Sequence, residues 1–250
     1  IANVCKLYGL DSAKQFFTCL TMNFRFVVPA LLIATTLAIL ISLGFWQLDR
    51  ANQKRIIETK ILTANSGGIE LVNKLDLLDN KEYYHVQFEG RYLGNRQFIY
   101  DNQIVEKVSG YYVLTPFVLE EGSKAILINR GFIAWNGARD KLANIDIENN
   151  KIKIKVQVSK PVKRIELKSG ELGEDFPVLI QAIDLKKMGA IAEIDFANMI
   201  GLLDPIADHG FVRKWEPYTG SIAKHIGYAI QWFLMALVLC IIGVRLALKH

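Results

Sequence analysis

The 250-residue chain is 51% hydrophobic, with 30 basic and 25 acidic side chains and three cysteines. Its apolar residues are concentrated in two charge-free blocks, which excludes an ordinary single globular domain. Cys5 and Cys19 lie near the start and Cys240 in the second block, so there is neither a disulfide framework nor metal-ligand spacing. No basic stripe with interleaved aromatics stands out, which argues against a nucleic-acid partner.

Residues 1–21 fit nothing downstream, and they are neither Arg-rich nor Ser-rich as a transit peptide would be. Met22-Asn23-Phe24-Arg25-Phe26 reads as a natural start, with residues 1–21 as upstream sequence. The alternative is a short cytoplasmic tail lying on the membrane. From Phe26 to Leu48 no side chain is charged. That run is too long for the core of a signal peptide, and the sequence after it offers no small-residue cleavage site. We assign a transmembrane helix to residues 24–48. Trp46 at its end suits an interfacial anchor, and Arg50, one turn on, can reach Asp49 or a lipid phosphate.

Arg55 to about Ser66 can continue as helix until Asn65-Ser66-Gly67-Gly68 breaks it. The pattern then turns to β. Alternation predicts strands over Tyr84–Tyr92, Gln97–Ile104, Tyr111–Leu119, Ala125–Ile133 and Lys151–Val158. Turns are expected at Gly94-Asn95, Ser109-Gly110 and Glu121-Gly122-Ser123. Weaker strands are read at Arg164–Lys168, Val178–Ala182, Ala197–Leu203 and Phe211–Trp215, with a short helix at Ile183–Ala192. Seven to nine short strands and one helix imply a compact barrel or sandwich over residues 49–224. This section lacks the hydrolase, phosphate-loop, dinucleotide and zinc-protease motifs. His85 reads as a strand histidine, His209 as a turn residue, and Asp204 as shaping a loop. No catalytic residue is assigned.

Ile226 to Val244 is the second charge-free run, 19 residues, just enough at ~1.5 Å per residue to cross a ~30 Å hydrocarbon core. The second transmembrane helix is assigned to 225–245, with a tail at 246–250. Two spans put both ends on one side. Lys6, Lys14, Arg25, Arg245 and Lys249, on the terminal sides of the two charge-free runs, face only Asp11, whereas Asp49 to Lys224 holds 25 basic and 24 acidic residues. That asymmetry favours cytoplasmic or matrix ends, although Arg50, Lys54, Arg55 and Lys60 argue the other way.

His225 opens the second span, with Tyr228 and Trp232 at i+3 and i+7 on one helical face. An ionisable group at the mouth of a span faces protein or a cavity in preference to lipid. The residues alone leave three roles open: an interfacial anchor beside Lys224, an axial ligand for haem iron with flat aromatic walls, or packing against the first helix.

Three motifs together resemble the Surf1 (Shy1-like) family of cytochrome oxidase assembly factors. They are Leu43-Gly44-Phe45-Trp46-Gln47-Leu48 with Arg50 and Lys54; Gly110-Tyr111-Tyr112-Val113-Leu114-Thr115-Pro116-Phe117 followed by Asn129-Arg130-Gly131-Phe132; and His225-Ile226-Gly227-Tyr228-Ala229-Ile230-Gln231-Trp232-Phe233. The resemblance spans about Phe24 to Leu246. Phe132 stands where the family usually has Trp, and Lys224 where relatives often carry Asn, which alters the charge beside any haem propionate.

The resemblance implies a membrane protein with two transmembrane α-helices flanking a mainly-β periplasmic or intermembrane-space domain. It is expected to sit in a bacterial inner membrane in preference to a mitochondrial one. The implied role is non-enzymatic, a chaperone for delivery of haem a (heme a) to subunit I of cytochrome c oxidase. The position matching His225 is the proposed axial ligand. Tyr228, Trp232, Trp46 and Gln47 would wall the macrocycle, and Arg50 or Lys224 would neutralise a propionate. Expected partners are subunit I, haem a synthase, membrane lipid and a second copy of the chain. The rivals are a non-cofactor scaffold that docks an assembly intermediate through its β domain, and a membrane-tethered hydrolase.

Overall fold

Alternation of apolar and polar side chains organises the middle of the chain, and two charge-free runs organise its ends. The computed structural model describes residues 10–120, 124–137, 142–162, 175–215 and 221–248. It separates into two units, one formed by Ile1–Ile57 with Thr219–His250 and the other by Glu58–Tyr218. Two helices long and apolar enough to cross a membrane flank a β-barrel-like domain.

Helix α1 runs unbroken over Leu10–Ser66, so the segment after the first charge-free run stays helical until Gly67-Gly68, where Gly68 takes a φ of 72°. Then follow β1 (Glu70–Leu71), a 3-10 turn at Leu75–Leu78, β2 (His85–Tyr92), β3 (Phe98–Val105), β4 (Val108–Leu119) and β5 (Ala125–Ala134). The chain continues through β6 (Ile152–Ser159), β7 (Val178–Ile180), α2 (Leu185–Ala192), β8 (Phe196–Leu203) and α3 (Ile222–Leu248).

The strands follow the order β1-β2-β6-β8-β5-β4-β3-β7, and an additional β2–β4 pairing closes β2, β6, β8, β5 and β4 into a ring. Strand β4 makes this possible by dividing one edge. Its first part pairs with β3 (Phe98 opposite Leu114), and its last residues Phe117–Leu119 pair with β2 at Tyr92, Arg91 and Gly90. A side chain at Gly90 would lie 2.1 Å from the Val118 carbonyl oxygen, so only glycine lets the strands meet there.

Val86, Phe88, Tyr92, Phe117, Ile126, Ile128, Val156 and Leu203 fill the ring. Each such side chain contributes roughly 1.5–3 kcal/mol on burial. Strand β6 turns Ile154, Val156 and Val158 inward and Lys153 and Lys155 to water, as its alternation predicts. A second cluster lies under α2, where Met188 and Ala192 pack with Phe98, Leu114, Leu127 and Val178. Asp184 caps α2, accepting hydrogen bonds from the amides of Lys186 and Lys187 at 3.0 and 3.2 Å.

Three local expectations need correction. The β3–β4 turn lies not at Ser109-Gly110 but at Glu106-Lys107, whose φ values of 50° and 69° are those of a two-residue primed turn between the paired Val105 and Val108. Gly110 is instead a strand residue, where a side chain would strike the Ile133 carbonyl oxygen at 2.1 Å. Phe211–Trp215 forms no strand; only Val212 bridges to Phe132, and Trp215 is held by its indole N–H donating to the Leu203 carbonyl at 2.7 Å. Strand β7 ends at Ile180, short of Ala182. The expected strand Arg164–Lys168 and the turn Glu121–Ser123 lie outside the described residues.

One buried polar atom yields a prediction. The Tyr92 hydroxyl has no hydrogen-bond partner among the described residues, while its ring packs edge-on against Phe117 at 5.0 Å. Burial pushes the phenol's pKa up, outweighing the opposite pull of Arg130 and Arg213, so the group stays neutral. Tyr92→Phe should therefore stabilise the protein by about 1 kcal/mol, because it removes an unpaired polar atom and keeps the ring. Urea unfolding of the full chain in detergent tests this, and a loss of stability would show the hydroxyl bonded in solution.

Candidate functional site

The two apolar helices recognise each other through a 4-3 spacing. On α1 the inward positions are Ile33, Leu37, Leu40, Gly44, Gln47 and Ala51; on α3 they are His225, Ala229, Trp232, Ala236, Leu239 and Gly243. This is a heptad-like stripe, and the contacts pair the helices antiparallel, with small residues letting the backbones approach. Ala229 and Ala236 are the buried residues of α3. Gly44 faces Phe233 so closely that an added β-carbon would lie 2.5 Å from its ring, and Phe233 also stacks edge-on with Phe45 at 5.5 Å. At the other end Gly243 meets Ile33.

One layer of this stripe is polar. His225 Nδ1 and Gln47 Oε1 are hydrogen-bonded at 2.8 Å, bridging the helices across 178 positions of sequence. The ring is half-buried, and no described residue hydrogen-bonds its Nε2.

The other residues singled out from sequence divide around this pair. Trp232 lies two positions along the same stripe and is half-buried, whereas Tyr228 is 52% exposed on the flank of the helix. Trp46 also points outward, and the Arg50 guanidinium carbon stands 5.6 Å from its ring centroid. Arg50 reaches Asp49 only through Gln53, which accepts from Arg50 at 2.9 Å and donates to Asp49 at 2.8 Å. Lys224 is exposed beside His225. Sequence reasoning missed Gly44 and Phe233 as contact residues. The available signal was a glycine inside an apolar run, which in a span marks close approach of another helix.

The β domain, taken by itself, holds a second polar constellation. Arg130 is 2% exposed, yet no carboxylate among the described residues pairs with it. Its Nε donates to the His209 carbonyl at 2.8 Å, and one terminal nitrogen donates to Gln97 Oε1 at 3.0 Å and to the Ile145 carbonyl at 2.8 Å. The guanidinium lies between the rings of Tyr92 and Phe211, 5.8 and 5.0 Å from their centroids. Burial pulls its pKa down. Gly131, with a φ of 121°, and a register shift against β4 mark a bulge here. His209 occupies a left-handed turn with a φ of 61°, and Asp204 Oδ1 accepts from the Ile206 amide at 2.9 Å, so both serve loop geometry as expected.

Two membrane-compatible helices, joined by a polar Gln–His layer and carrying a closed β domain between them in sequence, define a two-span membrane protein with an inserted barrel domain. Its relatives narrow the class. The SURF1 family model matches residues 34–237. The chain is 30% identical over 232 residues to a SURF1-like protein of Rickettsia prowazekii, covering 85% of this chain and 87% of that one. It is 28% identical to a SURF1-like protein of Rickettsia conorii, covering 85% and 88%. A SURF1-like protein of Dictyostelium discoideum is 27% identical over 139 residues, covering 52% and 48%. The chain belongs to the SURF1 family, known as cytochrome oxidase assembly factors.

Proposed function

We propose that this protein assists the delivery of haem a to subunit I of a haem-copper cytochrome c oxidase, with His225 as the axial ligand. The observation that carries the reading is the half-buried imidazole at the Gln47 layer, whose Nε2 is left without a hydrogen bond from any described residue. His225 would hold haem a through an imidazole nitrogen on its iron, and that iron is the chemistry the group would supply. The side chains fit: the imidazole of His225, the indole of Trp232 on the same stripe, and the exposed rings of Tyr228, on the same helix, and of Trp46, next to Gln47. Arg50 and Lys224 are placed in sequence to meet carboxylate groups such as haem propionates. A single protein ligand holds loosely, which suits a carrier that must release its cargo to a site with two axial histidines.

The charge excess on the terminal segments supports cytoplasmic ends and a periplasmic β domain. The Rickettsia relatives support a bacterial inner membrane. Subunit I, haem a synthase and membrane lipid are the partners that this role calls for, and a homo-oligomer is compatible with it.

A second reading has its own observation. A lone polar layer in an otherwise apolar heptad stripe is a known register device. In that case the Gln47–His225 bond aligns the helices, and the protein is a scaffold that stabilises an assembly intermediate through its β domain. A reduced-minus-oxidised visible spectrum of detergent-purified protein from haem-a-making cells separates the two. The carrier predicts a haem a band that His225→Ala abolishes. A colourless protein that still co-purifies with oxidase subunits supports the scaffold, and a band surviving His225→Ala overturns the ligand assignment.

A further inference from the structure

We infer that Gln47 is the positioning residue of this site: it fixes His225 as the Nδ1–H tautomer and so presents the Nε2 lone pair as the coordinating atom. The half concerning the tautomer stands alone; the half concerning coordination rests on the proposed function.

The argument starts from the donor inventory. A neutral imidazole carries one N–H and one lone pair, and an amide oxygen only accepts. With His225 Nδ1 and Gln47 Oε1 2.8 Å apart, the proton belongs on Nδ1. The opposite tautomer would point two lone pairs at each other, and at this range in a medium of low dielectric that arrangement is repulsive. The lone pair therefore sits on Nε2, the nitrogen that no described residue engages.

Packing makes this more than a passing contact. Gln47 and His225 both occupy the inward stripes of their helices, and each is followed along the stripe by a small residue, Ala51 on α1 and Ala229 on α3. One turn before Gln47, Gly44 locks against Phe233. The two backbones are thus held close, and the amide reaches the ring from a fixed distance. A hydrogen bond to the far nitrogen also raises the basicity of the near one, the role that outer partners play for metal-bound histidines. Glutamine is neutral, so it does this without placing a charge at the end of a membrane span, where a carboxylate would be expensive.

The test uses full-length protein in nanodiscs with 15N-labelled histidine rings. The chain has four histidines, and the His225 signals are those missing in His225→Ala. At mildly alkaline pH wild type should show the proton on Nδ1. Gln47→Leu keeps the size and helical preference but removes the acceptor, and should lose that preference. Gln47→Glu restores an acceptor and should retain it. Titration with haem a should then show Gln47→Leu binding about 10- to 100-fold more weakly, and Gln47→Glu closer to wild type.

A proton on Nε2 in wild type, or a tautomer indifferent to Gln47→Leu, overturns the inference. A purely register-setting role would not make the tautomer follow the acceptor, so the same tautomer in Gln47→Leu and Gln47→Glu also overturns it. If the tautomer behaves as expected but haem a binds wild type and His225→Ala alike, the carrier reading fails while the positioning of the ring by Gln47 stands.

Discussion

Arg130→Met is expected to cost the β domain about 3 kcal/mol, a large share of the 5–15 kcal/mol that stabilises a typical domain. Three carbonyl-type acceptors converge on this guanidinium. Two of them keep another donor when it is removed, since Thr115 Oγ1 donates to Gln97 Oε1 at 2.7 Å and Gln97 Nε2 donates to the Ile145 carbonyl at 3.1 Å. The His209 carbonyl keeps none among the described side chains, but His209 is exposed and water can take the place of the guanidinium there. Relief of the buried charge works in the opposite direction. The loss of several charge-assisted bonds and of the Tyr92–Phe211 sandwich should outweigh it. Arg130→Lys should do little better, because an ammonium cannot span these acceptors with a planar fork or stack between two rings. Urea unfolding of the full chain in detergent measures the change, and a loss below about 1 kcal/mol would show that the acceptors find water instead.

Gly44→Leu is expected to separate the two apolar helices. The first added carbon already falls 2.5 Å from the Phe233 ring, which is itself backed by Phe45. Overpacking of this kind costs about 1–3 kcal/mol, enough to lower the paired fraction roughly tenfold where pairing is marginal. Gln47 stands one turn along the same stripe, so its bond to His225 should fail with the pairing. Gly44→Ala should be milder, because the edge of one ring can tilt away. Cysteines at positions 33 and 243, in a background lacking the native cysteines, report the outcome: Ile33 and Gly243 are neighbours across the pair. A disulfide should form readily with Gly44 present and poorly with leucine there. Equal yields would show that the helices pair by another face.

The two apolar helices were legible because charge is costly in hydrocarbon, and its absence over a whole helix length marks a candidate span. The strand Ile152–Ser159 was legible for a similar reason, since lysines at every second position can face only water. The turn at Glu106-Lys107 was not, because neither residue favours a left-handed backbone and nothing local announced it. Ring closure was hidden as well: the β2–β4 pairing and the parallel β5–β8 pairing join segments far apart in sequence. At the site, His225 stood out as a titratable group at the mouth of a span. Its hydrogen bond to Gln47 could not be read, because partner choice between helices depends on a register that only the facing stripes set.

The place of β8 in the ring has a consequence for biogenesis. Among the described strands this is the last to be made, yet it lies between β6 and β5. A nascent chain that has not reached Leu203 therefore carries two unpaired edges, Ile152–Ser159 and Ala125–Ala134, both rich in β-branched residues and prone to pair with a neighbour. The barrel can close only after Phe196–Leu203 emerges, and Ile222, where α3 begins, follows Leu203 by 19 residues. Completion of the β fold and the making of the second apolar helix are thus consecutive events on the ribosome. Chains truncated ahead of β8 should aggregate instead of persisting as smaller folded domains.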